Sequence, residues 1–230
     1  MAVITINGQI GSAVEVGQEA ARRLNASYID RQVLAAASRR MGASEAAVAM
    51  REARGWTRRE RLRSYLEQSF RRAGSAETGM DPLVSGGWNS FLGLPYPEEL
   101  ARLNDVDPLN DQIYFQVVSS VIQEAANEGN AVILGRASNL VLKDRPGVLH
   151  VRTVAPLAFR VETIMKREGL DRTQAERFVH SQEEARTAYY QRFFKADAHD
   201  DLFYDLVVNT GTLGVDAAAE VIVRASAVKA

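Results

Sequence analysis

A glycine-punctuated turn near the amino terminus carries the clearest chemistry of this sequence. Residues 2–6 read as a short apolar strand, and a helical pattern begins at Ala13, so the turn between them is Gly8-Gln9-Ile10-Gly11-Ser12. A strand, a glycine turn and a helix in this order direct backbone N–H groups and the positive end of the helix at one point. The turn is therefore a candidate phosphate site.

The side chains that usually complete such a turn are absent. Counted from Gly8 in the phosphate-binding pattern G-x-x-x-x-G-K-[ST], the second glycine falls on Ala13, the lysine on Val14 and the hydroxyl residue on Glu15. Valine supplies no charge, and a carboxylate repels phosphates unless a metal ion lies between them. The backbone argument for phosphate binding stands without its usual side-chain chemistry.

Arginines are the second group of residues that could bind phosphate, and some of them directly follow predicted strands. Asp30 and Arg31 follow the strand candidate at 26–29, and Arg136 follows an uninterrupted apolar run at 131–134. The planar guanidinium group binds phosphate oxygens in pairs, and an unpaired charge at the end of a buried strand is costly. Arg136 is therefore either a ligand-facing residue or one half of a structural salt bridge.

More arginines lie in the helices that follow. Arg160 and Arg167 are seven residues apart and share one helix face, and Arg186 lies on the next helix. Such arginines would neutralise charge on a transferred phosphoryl group. The alternative is ordinary pairing with neighbouring acids such as Glu183.

The elements that must position these residues alternate between strands and helices. Further strands are predicted at 147–151 and 206–209, and helices are predicted at 112–128, 156–168, about 172–194 and 215–228. This alternation predicts an α/β fold, in which a parallel sheet is flanked by helices in three layers. Ligands of such folds bind at the carboxyl ends of the strands, where the residues above are expected to meet.

The middle of the chain has a different composition. Segments 31–53 and 57–72 read as helical, and eight arginines face three acids between residues 51 and 72. Residues 73–111 contain seven acids against one arginine and most of the prolines, which predicts an irregular excursion. The arginine-rich segment is either a solvated helix face or a surface that binds RNA or another polyanion.

Composition bounds the class of protein. The 230 residues are 46% apolar and 25% charged, which suits one globular domain over 1–230. There is no cysteine, which fits a reducing cytoplasm, and no run of transmembrane length is present. The net charge of −1 argues against general affinity for nucleic acid. The acidic run at 197–201 has side chains suited to a divalent ion, but acidic loops of this kind are usually solvated, and no metal ligand is assigned.

Six short segments together resemble a known family. They are residues 3–6 with Gly11-Ser12, Tyr28-Ile29-Asp30-Arg31, residues 132–136, residues 150–160, residues 186–190 and residues 204–209. In this order they resemble the cytidylate-kinase-like proteins, a branch of the P-loop nucleoside monophosphate kinases. The resemblance covers roughly 3–34 and 112–225. It implies a P-loop NTPase-like sheet with 31–111 as a helical insertion lobe of the nucleotide-binding type and about 156–200 as lid-type helices.

The resemblance also implies a function and a site. It implies phosphoryl transfer from ATP, with Mg²⁺, to CMP or a similar nucleoside monophosphate. The donor phosphates would lie on Gly8, Gln9, Ile10, Gly11 and Ser12, and the adenine end near Asn209 and Thr210. Asp30, Arg31 and Arg136 would bind the acceptor, while Arg136, Arg160 and Arg186 would carry the catalytic charge.

Three functions remain open at this stage. The chain is an active nucleoside or small-molecule kinase with an unusual charge arrangement, or a non-catalytic nucleotide-binding or regulatory protein of the same fold, or an RNA- or polyanion-binding module. Val14 and Glu15 favour the second, as does Ala137, which stands where cytidylate kinases carry an aspartate. Nucleotides are the expected partners, no membrane is involved, and a homo-oligomer is compatible with the sequence.

Overall fold

The computed structural model describes residues 2–30, 32–42 and 111–229. The arginine-rich segment 51–72, most of the predicted irregular excursion and Arg31 lie outside the described residues, so the predictions made for them stay predictions.

Five parallel strands form one sheet in the order β2-β3-β1-β4-β5. The strands are β1 (Val3–Gly8), β2 (Ser27–Ile29), β3 (Ala131–Leu134), β4 (Val148–Val154) and β5 (Leu206–Asn209). The strand β1 is central, and its register pairs Val3 with Ala131 on one side and Gly8 with Thr153 on the other. The parallel sheet predicted from the sequence is confirmed, although β1 ends at Gly8, two residues beyond the predicted strand.

Seven α-helices connect the strands within the described residues. They are α1 (Ala13–Leu24), α2 (Gln32–Met41), α3 (Asp111–Glu128), α4 (Ser138–Val141), α5 (Leu157–Glu168), α6 (Arg172–Phe194) and α7 (Thr210–Lys229). The single turn α4 and a 3₁₀ turn at Asp201–Phe203 are absent from the sequence prediction. The helix α7 begins five residues before the predicted helix, and the non-helical Gly214 separates its first turn from the rest.

The sheet separates two apolar cores, because successive side chains of a strand point to opposite faces. On one face Ile4 and Ile6 pack with Val16 of α1 and Ile222 of α7. On the other face β1 and β3 pack with α2, α3 and the end of α6. Helices on both faces explain why residues 131–134 are apolar without interruption.

The helices α5 and α6 form an antiparallel pair with a small core of its own. Gly169, with φ of 65°, ends α5, and Asp171 begins α6 with a capping box in which Gln174 N–H donates to Asp171 Oδ1 at 2.8 Å. Ile164 and Phe178 lie in the core between the two helices. No helix in the described part of the chain combines the length and apolar character needed to cross a bilayer.

Candidate functional site

The turn between β1 and α1 is held by the neighbouring strand β4. Gln9 N–H donates to the carbonyl oxygen of Thr153 at 3.0 Å, and the Gln9 side-chain oxygen accepts from Ala155 N–H at 3.1 Å. A Cβ atom on Gly8 would lie 2.2 Å from the Thr153 carbonyl oxygen, so only glycine allows this approach. The close approach of β1 to β4 fixes where the turn begins.

The turn ends at Ser12, directly before α1. Its carbonyl oxygen accepts from Val16 N–H at 2.9 Å, which starts the helix, but its side chain caps no backbone N–H. Ser12 is 4% exposed, and its hydroxyl has no hydrogen-bond partner among the described residues. A buried hydroxyl without a partner is rare in folded proteins and indicates that another group completes it.

Two arginines of α5 lie against this turn, as their spacing predicts. Arg160 covers Gly11, since a Cβ atom there would lie 3.3 Å from Arg160 Cγ. Arg167 Nη1 donates to the carbonyl oxygen of Gly11 at 3.4 Å. Ile10 of the same turn packs into the core between α5 and α6. The turn and α5 therefore hold each other in place.

Burial lowers the pKa of one of these arginines. The Arg160 side chain is 11% exposed, and its burial lowers its pKa, which Glu183 partly restores. Within the described part of the chain, its Nε atom has no hydrogen-bond partner. Arg160 therefore has hydrogen-bonding capacity left for a ligand.

Glu15, in the first turn of α1, lies beside Arg167. Its Oε1 atom is 3.7 Å from Arg167 Nη1, and its Oε2 atom is buried without a hydrogen-bond partner. The carboxylate that breaks the phosphate-binding pattern is thus paired with a cation from another helix. By contrast, Arg22 and Arg23 of α1 form ion pairs with Glu19, away from the turn.

A second cluster lies at the carboxyl ends of β2 and β3. Arg136 Nη1 donates to the Asp30 carbonyl oxygen at 2.9 Å and lies 3.4 Å from Asp30 Oδ1. Gly135, Arg136 and Ala137 all have positive φ, of 73°, 55° and 49°. Two consecutive non-glycine residues in this region cost backbone energy, which is commonly stored at functional sites. The Ala137 methyl group is buried in the core, which explains the alanine at this position.

Tyr28 of β2 connects the two clusters electrostatically. Burial raises its pKa, the charges of Asp30 and Glu15 raise it further, and those of Arg136 and Arg167 oppose this. Its hydroxyl is buried and has no hydrogen-bond partner. The pKa of Tyr28 therefore depends on charges from both clusters. The sequence alone gives no sign that Tyr28 belongs to the site.

Glu183 of α6 organises the remaining arginine set. It lies 3.8 Å from Arg160 and 3.7 Å from His199, and it accepts from Arg186 Nε at 3.2 Å. Arg186 also donates to the carbonyl oxygen of Ala198 at 2.9 Å. Arg186 pairs locally with Glu183, which is the alternative that the sequence analysis left open. Glu183 also contacts Arg160 and so joins α6 to α5. Only tertiary structure reveals this second role.

The acidic run at 197–201 is occupied by local contacts. Asp197 accepts from His199 N–H at 2.8 Å, Asp200 accepts from Leu202 N–H at 2.9 Å, and Asp201 pairs with the buried Arg152 of β4. Across residues 2–30, 32–42 and 111–229, no three histidine or acidic side chains converge as a metal site would require.

Asn209 and Thr210 lie at the carboxyl end of β5, at the same edge of the sheet. Asn209 Oδ1 accepts from the N–H groups of Gly211 and Thr212 at 3.1 and 3.3 Å. Thr210 Oγ1 donates to the Val154 carbonyl oxygen at 3.3 Å. These contacts form a tight turn at the edge where the β1–α1 turn also lies.

The structure thus brings the selected residues to one edge of the sheet in two groups. Gly11, Ser12 and Arg160 form one group, and Asp30 with Arg136 forms the other. A parallel sheet in this strand order, with a glycine turn leading into α1 and arginines above it, defines the P-loop-kinase-like class of α/β folds.

Comparison with known proteins gives the family within this class. The model of the cytidylate kinase-like family matches residues 3–212. The chain belongs to the cytidylate kinase-like family.

Individual relatives agree with this assignment. A cytidylate kinase of Archaeoglobus fulgidus is 30% identical over 132 residues, which are 57% of this chain and 71% of that protein. A cytidylate kinase of Ignicoccus hospitalis is 30% identical over 150 residues, which are 65% of this chain and 86% of that one. An uncharacterized protein from Eubacterium ventriosum shares the fold with a TM-score of 0.61 at 17% identity, covering 99% of this chain and 98% of its own.

Proposed function

We propose that this protein is a nucleoside monophosphate kinase that transfers the γ-phosphoryl group of ATP to CMP or a similar nucleotide. The proposal rests on two clusters of arginines, each suited to binding an anion, that lie at the same edge of the sheet. Arg160 and Arg167 lie at the β1–α1 turn, and Arg136 lies at the ends of β2 and β3. A phosphoryl transferase needs one such cluster for the donor and one for the acceptor.

At the donor end, the turn residues would hold the phosphates of ATP. The N–H groups at the start of α1 and the unpartnered Ser12 hydroxyl supply neutral donors, and Arg160 supplies charge from above. Asn209 and Thr210, at the end of β5, would lie near the adenine.

Mg²⁺ would enter this site with ATP rather than on a set of ligands supplied by the chain. Glu15 is the acidic residue described at this turn, and its carboxylate faces Arg167. Mg²⁺ is commonly held by substrate phosphates with one or two carboxylates. When bound with ATP it would neutralise charge between the phosphates, and the residues of this chain would contribute little to its coordination.

At the acceptor end, Arg136 would bind the monophosphate. Asp30 holds its Nη1 atom through both a backbone and a side-chain oxygen, so the guanidinium group is fixed before the substrate arrives. Such preorganisation lowers the entropic cost of binding. Arg31, outside the described residues, would act beside it.

The transfer itself requires positioning and charge neutralisation. An oxygen of the acceptor phosphate attacks the γ-phosphorus of ATP, and the bond from that phosphorus to the bridging oxygen breaks to leave ADP. Arg160 and Arg186, both held by Glu183, would stabilise the charge on the group in flight.

Measurement of ADP formation tests this proposal. Purified protein is incubated with ATP and Mg²⁺ and with CMP, dCMP, UMP or AMP in turn. We expect turnover with a pyrimidine monophosphate and its loss in Arg136→Met. The control is Arg224→Met, which removes an exposed arginine of α7 that pairs with neighbouring Glu220.

The second candidate is a protein that binds nucleotides without transferring phosphoryl groups. Val14 and Glu15 support it, because the turn lacks its usual lysine and hydroxyl residue. It predicts that nucleotides raise the melting temperature while no ADP forms. If no nucleotide stabilises the protein, both candidates are wrong.

A further inference from the structure

We propose that Arg167 of α5 supplies the cation for the donor triphosphate that a lysine supplies in the G-x-x-x-x-G-K-[ST] pattern, and that Glu15 is its resting partner. The inference rests on the proposed function and extends it. Arg167 Nη1 lies 3.4 Å from the carbonyl oxygen of Gly11 and 3.7 Å from Glu15 Oε1. The guanidinium group is therefore at the turn itself, although it comes from a helix more than 140 residues away in sequence.

The packing of α5 explains why the guanidinium group reaches this place. Ile10 of the turn lies in the core formed by Val161 and Ile164 of α5 with α6. Arg160, about two helical turns before Arg167 on the same face of α5, covers Gly11. These contacts fix the height and rotation of α5 relative to the turn. Arg167 Nε also donates to Glu168 at 2.9 Å, so Glu168 holds the side chain together with Glu15.

Glu15 gains a role from this arrangement. A lone carboxylate at an anion site would repel the ligand, but here its charge is paired with Arg167. Arg160 and Arg167 both lie against the turn, and Glu15 shares Arg167 with Glu168. When the triphosphate binds, its oxygens compete with Glu15 for Arg167. Glu15 therefore weakens donor binding while keeping Arg167 in position.

Binding of ATP, measured by calorimetry with and without Mg²⁺, tests the inference apart from turnover. We expect Arg167→Met to weaken ATP binding about tenfold or more, because charge-assisted hydrogen bonds to phosphate are lost. Arg167→Lys keeps the charge and loses less. Glu15→Gln removes the competing carboxylate, and we expect it to tighten ATP binding severalfold in both conditions.

Restoring the missing lysine gives the sharpest measurement. In Arg167→Met, the added substitution Val14→Lys places an ammonium group where the pattern has one, and we expect it to recover most of the lost affinity. Arg224→Met, at an exposed arginine of α7, is the matched control and should bind ATP as the wild type does. Circular dichroism melts verify that each variant is folded.

The outcomes separate this inference from the function on which it rests. If wild-type protein binds ATP and Arg167→Met binds it equally well, the inference is wrong and the proposed function stands. If Arg167→Met does not fold, the ATP affinity of Glu15→Gln decides. An affinity equal to that of the wild type would overturn the inference that ATP competes with Glu15 for Arg167. Weaker binding of Glu15→Gln only with Mg²⁺ would identify Glu15 as a metal ligand and also overturn it. No ATP binding by the wild type would refute both proposals.

Discussion

Replacement of Gly8 by alanine should destabilise the protein more than any other single glycine change described here. Gly8 is the last residue of the central strand β1 and pairs with Thr153 of β4. An added Cβ atom would lie 2.2 Å from the carbonyl oxygen of Thr153, 2.6 Å from its amide nitrogen and 2.6 Å from its hydroxyl. Two of these three atoms belong to the backbone, so rotation of a side chain cannot relieve the overlap.

The size of the effect follows from this geometry. Inserting a methyl group into a packed region usually costs about 1–3 kcal/mol of unfolding free energy, and more where the backbone must move. Separation of β1 from β4 would also stretch the Gln9 hydrogen bond to Thr153 at 3.0 Å. We therefore expect a loss of about 3 kcal/mol. For a chain of this length that corresponds to a fall in melting temperature of roughly 6–12 °C.

Urea denaturation followed by circular dichroism measures this loss. The matched control is Gly169→Ala, at the end of α5, where φ is 65° but no atom lies within 4 Å of the added Cβ. That variant carries backbone strain without overlap and should lose about 1 kcal/mol. If Gly8→Ala is no less stable than Gly169→Ala, the close approach of β1 to β4 does not fix the turn.

Three further predictions concern other parts of the molecule. Burial lowers the pKa of His150, so the unfolded chain binds a proton at this residue more readily than the folded chain does. The unfolding free energy should therefore fall as the pH drops below about 6.5. Urea titrations at several pH values should show this slope, and His150→Gln should flatten it. Tyr190→Phe removes the bond from the Tyr190 hydroxyl to Asn139 Oδ1 at 2.8 Å and should cost about 1–2 kcal/mol in denaturant titration, with a loss under 0.5 kcal/mol counting against it. Arg136→Lys keeps the positive charge but loses the planar guanidinium group, so the KM for the acceptor should rise about tenfold with a smaller change in kcat. An unchanged KM would mean that Arg136 serves only as the structural partner of Asp30.

The fold follows from the sequence wherever local pattern and topology agree. The apolar run of β3 and the amphipathic spacing of α3 and α5 predict these elements to within one residue of the observed bounds. The end of β1 could not be predicted, because its last pairs depend on the register with β4 rather than on local composition. The first turn of α7 was missed since Gly214, with φ of 73°, interrupts the helical pattern there.

The site is predictable in its location but not in its pairing. Asp30 and Arg136 follow adjacent parallel strands, so topology alone predicts that they lie close together. Their ion pair depends on positive φ at Arg136, and a sequence offers no sign that a non-glycine residue adopts it. Glu183 joins Arg160 to Arg186 across two helices, and only the packing angle of α5 on α6 determines that contact.

The described contacts imply that the β1–α1 turn and the α5–α6 pair cannot move independently. In a turn that carries its own lysine, the cation belongs to the same element as the backbone donors. In this chain the charges come from Arg160 and Arg167 of α5, and Ile10 of the turn is packed into the core between α5 and α6. A displacement of α5 large enough to open the site would therefore expose Ile10 and withdraw both arginines together. The apolar core between α5 and α6 therefore determines where the two arginines lie relative to the turn. Substitutions in that core, such as Ile164→Ala, should weaken anion binding at the turn although Ile164 itself does not contact the anion.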